Sequence, residues 1–250
     1  MKAKVTSLYD EGSLESTALI GAEGFSVLIE VDDIKVMFDT GMRGKYLLGN
    51  MMQLEVDADS ITEVVISNGG KEYCGGLNDL LKERQSPLRI SYPCSAEREK
   101  GIFGHGIKIR PENSDKALLH PTDDWNRISE HLFMSSSMDT GGQRRESFMV
   151  LITKKGPVVI ASRSECGVAT IMDFVKERFG TLPCAYIGGV LLGKKRPPAV
   201  IAAEEFSSRG CKELYLNHCT GVPGMMHLRM ELGKSGVNDF YVGSERTFEL

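Results

Sequence analysis

The side chains with the most chemical capacity lie in three short segments. Asn68, Lys71, Glu72, Tyr73 and Cys74 follow a β-branched run that ends at Ser67. Glu165 and Cys166 follow the apolar residues 157–161, and His218 and Cys219 follow residues 213–216. Glu72 and Glu165, facing each other or His218 across one pocket, would raise the pKa of one carboxylate through like charge and burial. That carboxylate could then act as a general base. Two or three of the thiols with His218 and a glutamate could instead hold a soft metal ion such as zinc or copper(I). A thiol beside His218, either Cys219 or Cys74, could be a reactive nucleophile. Each reading has a plainer counterpart. Loop glutamates can be solvated, a histidine can be a hydrogen-bonded structural residue, and cysteine often packs as a small apolar side chain. No spacing among these residues decides between the readings.

Strands that end in polar loops must position all three segments. Residues 61–67 form such a strand, the loop 68–74 follows, and Gly75-Gly76 opens a helical pattern from Leu77 to Arg84. In α/β folds a strand that feeds a helix through a polar loop is the usual place for chemistry. Upstream, residues 25–30 and 34–38 flank the turn Asp32-Asp33 and read as a hairpin. The second of these strands runs into Asp39-Thr40-Gly41, where Asp39 suits an Asx-type cap on backbone N–H groups. Residues 2–9 read as an edge strand and residues 10–24 as a loop. Residues 45–55 carry apolar positions at helical spacing. A short helix is expected at 95–100 and an irregular connection over 101–125. Strands are expected near 130–135 and 147–154 around a polar turn, helices at 168–178, 199–208 and 225–232, and a last strand pair at 240–250. His105 reads as a surface-loop histidine, and Lys194-Lys195-Arg196 as a solvated turn that could steer an anion. One α/β domain spanning residues 1–250 is the economical reading.

These segments resemble the metallo-β-lactamase superfamily over nearly the whole chain. Within it, the chain is similar to the subgroup named after 7,8-dihydropterin-6-methyl-4-(β-D-ribofuranosyl)aminobenzene-5′-phosphate synthase. The family frame Ser-His-Gly-His-x-Asp-His-x-Gly-Gly-Leu is here Ser67-Asn68-Gly69-Gly70-Lys71-Glu72-Tyr73-Cys74-Gly75-Gly76-Leu77. A Gly-Cys-Ser-His segment matches Ser162-Arg163-Ser164-Glu165, and a Gly-Gly-Phe-His segment matches Gly188-Gly189-Val190-Leu191. His218-Cys219-Thr220-Gly221 retains the family's His-Cys-Thr-Gly. The resemblance implies an αββα sandwich, with two mixed sheets flanked by helices. In the family the histidines and the aspartate hold one or two zinc-like ions that activate water. Here those positions hold Asn68, Gly70, Glu72, Tyr73, Glu165 and Leu191. Gly70 and Leu191 offer no ligand atom, Asn68 is a weak neutral donor, and Tyr73 ligates only as a phenolate, whose free pKa is about 10. The departures imply no cofactor, or at most one zinc-like ion held by Glu72, Glu165 and His218. The expected function is that of a degenerate member, a pseudoenzyme or small-ligand-binding protein. Its pocket would comprise Asp39, Asn68, Lys71, Tyr73, Cys74, Cys166 and Cys219 around the candidate catalytic trio Glu72, Glu165 and His218. The alternatives are a hydrolase or pterin-pathway enzyme with an altered mononuclear site, and a structural or interaction protein. The partner to expect is a small anionic or pterin-like ligand.

Composition narrows the remaining classes. The chain has 250 residues, 41% apolar and 26% charged, and a net charge of −4. Its balance gives no electrostatic case for nucleic acid or an anionic membrane. No apolar run reaches the roughly 18 residues of a membrane span. The six cysteines form no Cys-x-x-Cys pair and read as reduced, cytoplasmic thiols. No Walker motif, Gly-x-Gly-x-x-Gly after a strand, or Gly-x-Ser-x-Gly elbow is present. Nothing in the sequence speaks to oligomeric state.

Overall fold

The computed structural model of the chain describes residues 1–97, 106–141, 145–192 and 198–250. His105 and the basic run at Lys194 therefore lie outside the described residues. The first half contains β1 (Lys2–Tyr9), β2 (Ser26–Val31), β3 (Ile34–Phe38), α1 (Gly44–Gln53), β4 (Glu63–Val65), α2 (Lys71–Cys74), α3 (Leu77–Glu83), β5 (Leu88–Tyr92) and β6 (Ala117–Pro121). The second contains β7 (Asn126–Arg127), β8 (Leu132–Met134), β9 (Met138–Asp139), β10 (Arg145–Glu146), β11 (Met149–Thr153), β12 (Gly156–Ala161), α4 (Val168–Phe179), β13 (Ala185–Gly188), α5 (Ala199–Ser208), β14 (Glu213–Leu216), α6 (Val222–Leu232), β15 (Val237–Asp239) and β16 (Glu245–Glu249).

Two mixed sheets face each other. One has the order β16-β1-β2-β3-β4-β5-β6 and the other β15-β14-β13-β12-β11-β8-β7, while β9 and β10 form a separate small hairpin. Side chains alternate across each strand. Along β2, Val27, Ile29 and Val31 enter the core between the sheets, and Leu28 enters the layer beneath α1 and α3. Along β12, Val158 and Ile160 enter the intersheet core, and Val159 and Ala161 pack beneath α4, α5 and α6. Both faces of each sheet are thus buried, which is why the central strands are almost wholly apolar. The αββα sandwich is the architecture the resemblance implied.

Three local expectations are corrected. β1 is not an edge strand, because β16 from the C-terminus pairs with it at Lys2↔Glu249 through Thr6↔Glu245. The final segments do not pair with each other: β15 extends the second sheet beside β14, and β16 closes the first. The loop after β4 contains the short helix α2. Of the segment expected as a helix at 95–100, the part up to Glu97 lies in a 3₁₀ turn, Cys94–Glu97, and 98–100 lie outside the described residues. Sequence periodicity cannot report such pairings, which depend on where distant strands meet.

Parallel pairing brings several strand ends to one edge of the sandwich. β4 is parallel to β3 and β5, and β12, β13 and β14 run parallel to one another. The loops after β4, β12, β13 and β14 therefore emerge together, as ligand-binding loops do in α/β sheets. Gly188-Gly189 allows the closest approach. A Cβ on Gly188, at φ +116°, would lie 1.8 Å from the Ala161 carbonyl oxygen, and one on Gly189 would lie 2.5 Å from that of Ser162. The long loop after β1 is pinned by fully buried Asn50. Its Nδ2 donates to the Leu8 and Ile20 carbonyls at 2.9 and 3.0 Å, and its Oδ1 accepts the Ile20 N–H at 2.8 Å. Asn50→Ala strands these buried groups and is expected to cost about 2–3 kcal/mol in urea unfolding.

Candidate functional site

The site is anchored from beneath by Asp39, which follows β3 in a left-handed conformation (φ 60°) and is fully buried. Its carboxylate accepts the Ser67 N–H at 2.7 Å, the Ser67 hydroxyl at 2.8 Å and the Ser162 hydroxyl. One side chain therefore ties the loop after β4 in the first sheet to the loop after β12 in the second. Burial pushes the Asp39 pKa up to about 7, against the pull of these three donors.

Above this anchor, Asn68 closes a local turn. Its Oδ1 accepts the Gly70 N–H at 2.8 Å, and Gly70 then precedes α2. Thr40 donates to the Tyr73 carbonyl through its N–H at 2.6 Å and its hydroxyl at 3.0 Å, which sets the angle of α2. Glu72 and buried Tyr73 are carried by α2 to a cavity of about 210 Å³, whose wall also includes Glu11, Glu23, Phe25, Arg163, Leu191, His218 and Cys219.

Arg163 is the central charge. Its Nη1 lies 3.4 Å from Glu72 Oε1 and 3.7 Å from Glu165 Oε1. It also lies against the Tyr73 hydroxyl. Burial works against the guanidinium charge, but Tyr73, Cys219 and Glu165 outweigh it and hold Arg163 above its ordinary pKa. Burial raises Tyr73 well above its ordinary value despite Arg163, so it remains a phenol rather than a phenolate.

His218 occupies the opposite wall, on the loop after β14. Its Nδ1 hydrogen-bonds Oδ1 of Asp10, which follows β1 and has a fully buried side chain. Its Nε2 lies 3.3 Å from Cys219 Sγ and 3.4 Å from Glu11 Oε1. Burial disfavours the imidazolium, but the bonds to Asp10 and Cys219 prevail and raise the pKa to about 10.

The side chains singled out from the sequence separate into two groups. Glu72, Tyr73, His218 and Cys219 line the cavity, and Glu165 reaches it through Arg163. Asp39 and Asn68 shape the loops beneath, while Lys71 is exposed and absent from the cavity wall. Cys74 packs against the outer core of the first sheet, with its sulfur 3.6 Å from the Gly69 carbonyl oxygen. Cys166 packs against the outer core of the second sheet, its sulfur 3.9 Å from Met138 Sδ. Burial and the neighbouring Glu146 raise its thiol far above the usual range. Asp10, Glu11 and Arg163 were not singled out from the sequence. Arg163 does carry a signal in hindsight: a cation stands two residues from Glu165, in the frame where the family has Gly-Cys-Ser-His. Asp10 carries none.

The residues present do not fit a zinc-like ion. Among the described residues, no group of three or more His, Cys, Asp and Glu side chains is arranged to hold a metal ion. Glu72 and Glu165 converge on Arg163, and both nitrogens of His218 have partners. A Cβ at Gly70 would lie 2.9 Å from Asn68 Oδ1 and 3.0 Å from Glu72 Oε2, so a side chain there would have to displace these groups.

No family model matches the chain. A curated protein of Methanocaldococcus jannaschii, 7,8-dihydropterin-6-methyl-4-(β-D-ribofuranosyl)-aminobenzene-5′-phosphate synthase, is 21% identical, with 87% of each chain covered. Among solved structures, a metal-dependent hydrolase of the β-lactamase superfamily superposes with a TM-score of 0.79 at 23% identity, over 98% of both chains. A diphosphatase of the PhnP family gives 0.67 at 14% identity, over 99% of this chain and 98% of that one. The metallo-β-lactamase fold protein YhfI of Bacillus subtilis gives 0.64 at 15% identity, over 99% and 100%. At these identities the likeness speaks to the fold alone. No helix among the described residues is long and apolar enough to cross a membrane.

Proposed function

The chain has the metallo-β-lactamase fold, and we propose that it uses the site at the strand ends without a metal ion, as a pocket for a small ligand. The observation that carries this reading is the guanidinium of Arg163 between Glu72 and Glu165. A fixed cation occupies the place where these carboxylates could otherwise collect a divalent ion. Pairing by an organic cation leaves no open coordination position and no bound water to ionise.

The charge around the cavity favours a pterin-like ligand over an anionic one. Glu11, Glu23 and Glu72 line the cavity, whereas Arg163 is engaged by carboxylates and His218 by Asp10 and Glu11. An anion would meet uncompensated negative charge. A pterin presents an amidine-like edge of N–H donors, and planar donors of this kind pair well with a carboxylate. Phe25 and Tyr73 add aromatic walls. About 210 Å³ suits a bicyclic ring, with larger substituents left at the mouth. The relative from Methanocaldococcus jannaschii is named for a dihydropterin product, which agrees with this ligand class.

Protein purified without chelator or affinity tag is expected to contain well below one zinc, iron or manganese per chain. Stoichiometric metal, lost in His218→Ala and Glu72→Ala, would overturn the reading in favour of an altered hydrolytic site. Calorimetry with free pterin is expected to show saturable binding that Glu72→Gln weakens, and inorganic phosphate is expected to give none. Binding of neither would leave the fold's surface, not its pocket, as the functional part.

A further inference from the structure

One cluster in the cavity wall has a geometry that ligand binding does not require. Asp10, His218 and Cys219 form a continuous chain: carboxylate to Nδ1, and Nε2 to sulfur at 3.3 Å. We propose that Cys219 is a nucleophile that attacks small, uncharged acyl or alkyl electrophiles entering the cavity, with its proton held on His218 Nε2 as a thiolate–imidazolium pair and Asp10 as the positioning residue for the imidazole.

The roles follow from placement. Asp10 lies at the end of β1 with its side chain wholly buried, and its Oδ1 also accepts the His218 backbone N–H at 3.3 Å. The second oxygen accepts the Gly12 N–H at 3.1 Å. The carboxylate is thus fixed on both sides and holds one ring orientation, with Nε2 directed to the sulfur. This is the nucleophile–base–orienter arrangement of covalent catalysis, recognised by geometry rather than sequence order. Cys219 is placed from its own side as well. Asn217 Oδ1 accepts its N–H at 3.0 Å, and Gly189, where a Cβ would lie 3.0 Å from the Cys219 Cβ, leaves room for the loop to close. Among the six cysteines, only Cys219 lines this cavity. Glu11, Glu23 and Glu72 on the same wall disfavour anionic reagents, so the preferred electrophile is uncharged.

With an ester, the sulfur attacks the carbonyl carbon as a thiolate while its proton sits on His218 Nε2. The C–S bond forms, the C–O bond to the alcohol breaks, and the Nε2 proton leaves with the alkoxide. Water then attacks the thioester and gives a proton to the neutral Nε2. The C–S bond breaks, the acid departs, and the thiolate–imidazolium pair is restored. With an alkyl halide the reaction stops after one step: the C–S bond forms, the carbon–halogen bond breaks, halide leaves, the proton stays on Nε2 and the sulfur stays modified.

The test uses the full chain at pH 7, with alkylation of each cysteine followed by peptide mass spectrometry. Iodoacetamide is expected to modify Cys219 about tenfold or more faster than glutathione or the exposed Cys94. Iodoacetate, the anionic analogue, is expected to lose most of that advantage. His218→Gln should remove the excess rate while Cys219 remains accessible, and Asp10→Asn should reduce it. p-Nitrophenyl acetate should acylate the parent chain and not Cys219→Ser. Labelling of Cys219 in the parent chain no faster than glutathione would overturn the proposal, whether or not the variants fold. The proposal rests on the metal-free reading of the site, and the two fail differently. Rapid labelling that appears only after a chelator strips stoichiometric metal would sink the metal-free reading and keep the nucleophile. Slow labelling in metal-free protein would sink the nucleophile alone.

Discussion

Arg163→Met unfolds with about 2–3 kcal/mol less stability than the parent chain at pH 7, because it removes the shared partner of two half-buried carboxylates. Glu72 and Glu165 are held within 3.4 and 3.7 Å of the same Nη1, with side chains only 23% and 18% exposed. Without the guanidinium they face each other and the Tyr73 hydroxyl with no cation between them. The loss is therefore mainly the cost of stranded charge, not the worth of two ion pairs. That distinction is measurable. Glu72→Gln and Glu165→Gln, combined with Arg163→Met, should recover most of the lost stability in urea titrations, because the neutral triple variant strands no charge. If the triple variant is as unstable as Arg163→Met, Arg163 contributes packing and not charge balance. Arg163→Met should also bind zinc measurably where the parent does not, since both carboxylates are then available. Unchanged zinc affinity would argue against the guanidinium as the group that displaces a metal ion.

Asp39 makes the chain lose stability as pH rises from about 4 to about 7. Its pKa stands at about 7 in the folded chain against an ordinary 3.8. Between these values the folded state holds a proton that the unfolded state has released, so stability falls with rising pH and levels off above about 7. A displacement of this size corresponds to an upper bound on the order of 4 kcal/mol. His218 adds to the same trend in the next window. Its pKa is raised from 6.5 to about 10, so its contribution is complete below 6.5 and is lost as pH climbs through about 10. Asp39→Asn isolates the first component. The amide keeps an oxygen for the Ser67 N–H, and the Ser67 and Ser162 hydroxyls can rotate to accept from its NH₂. Parent and variant should converge in unfolding free energy near pH 4, with the parent falling behind by pH 7 and the gap constant above. A gap that narrows between pH 4 and 7 would show that the three donors, not burial, control the carboxylate.

Much of the frame can be read in the order of residues. Val27, Ile29 and Val31 alternate with Leu28, and Val158 to Ala161 is apolar on both faces. Such runs fit only sheets covered on both sides. The loops at Ser67, Ser162, Gly188 and His218 could be identified because each follows such a run and keeps part of a family motif. Local chemistry was also accessible: Gly70 and Leu191 bring no ligand atom wherever the chain places them. Asn68 was legible as a weak ligand, and the structure gives it a local turn to close.

Residue order alone could not say which way charges from distant loops would point. Arg163 becomes the central cation only because Asp39 holds the 67 and 162 loops together and α2 turns Glu72 towards it. Asp10 reaches His218 across 208 positions, a pairing that depends on where β1 and β14 end in opposite sheets. Cys74, Cys166 and Cys219 are equivalent as letters beside family motifs, yet two sit in helix-side cores and one lines the cavity. The sequence by itself implied the sandwich through its resemblance to a known fold, supported by the strand–loop–helix order, and it set the ligand capacity of each loop residue, because that capacity is a property of residue type. Only the tertiary structure decided which of those groups meet in the pocket, because hydrogen bonds and ion pairs depend on distances that two facing sheets create between loops far apart in the chain.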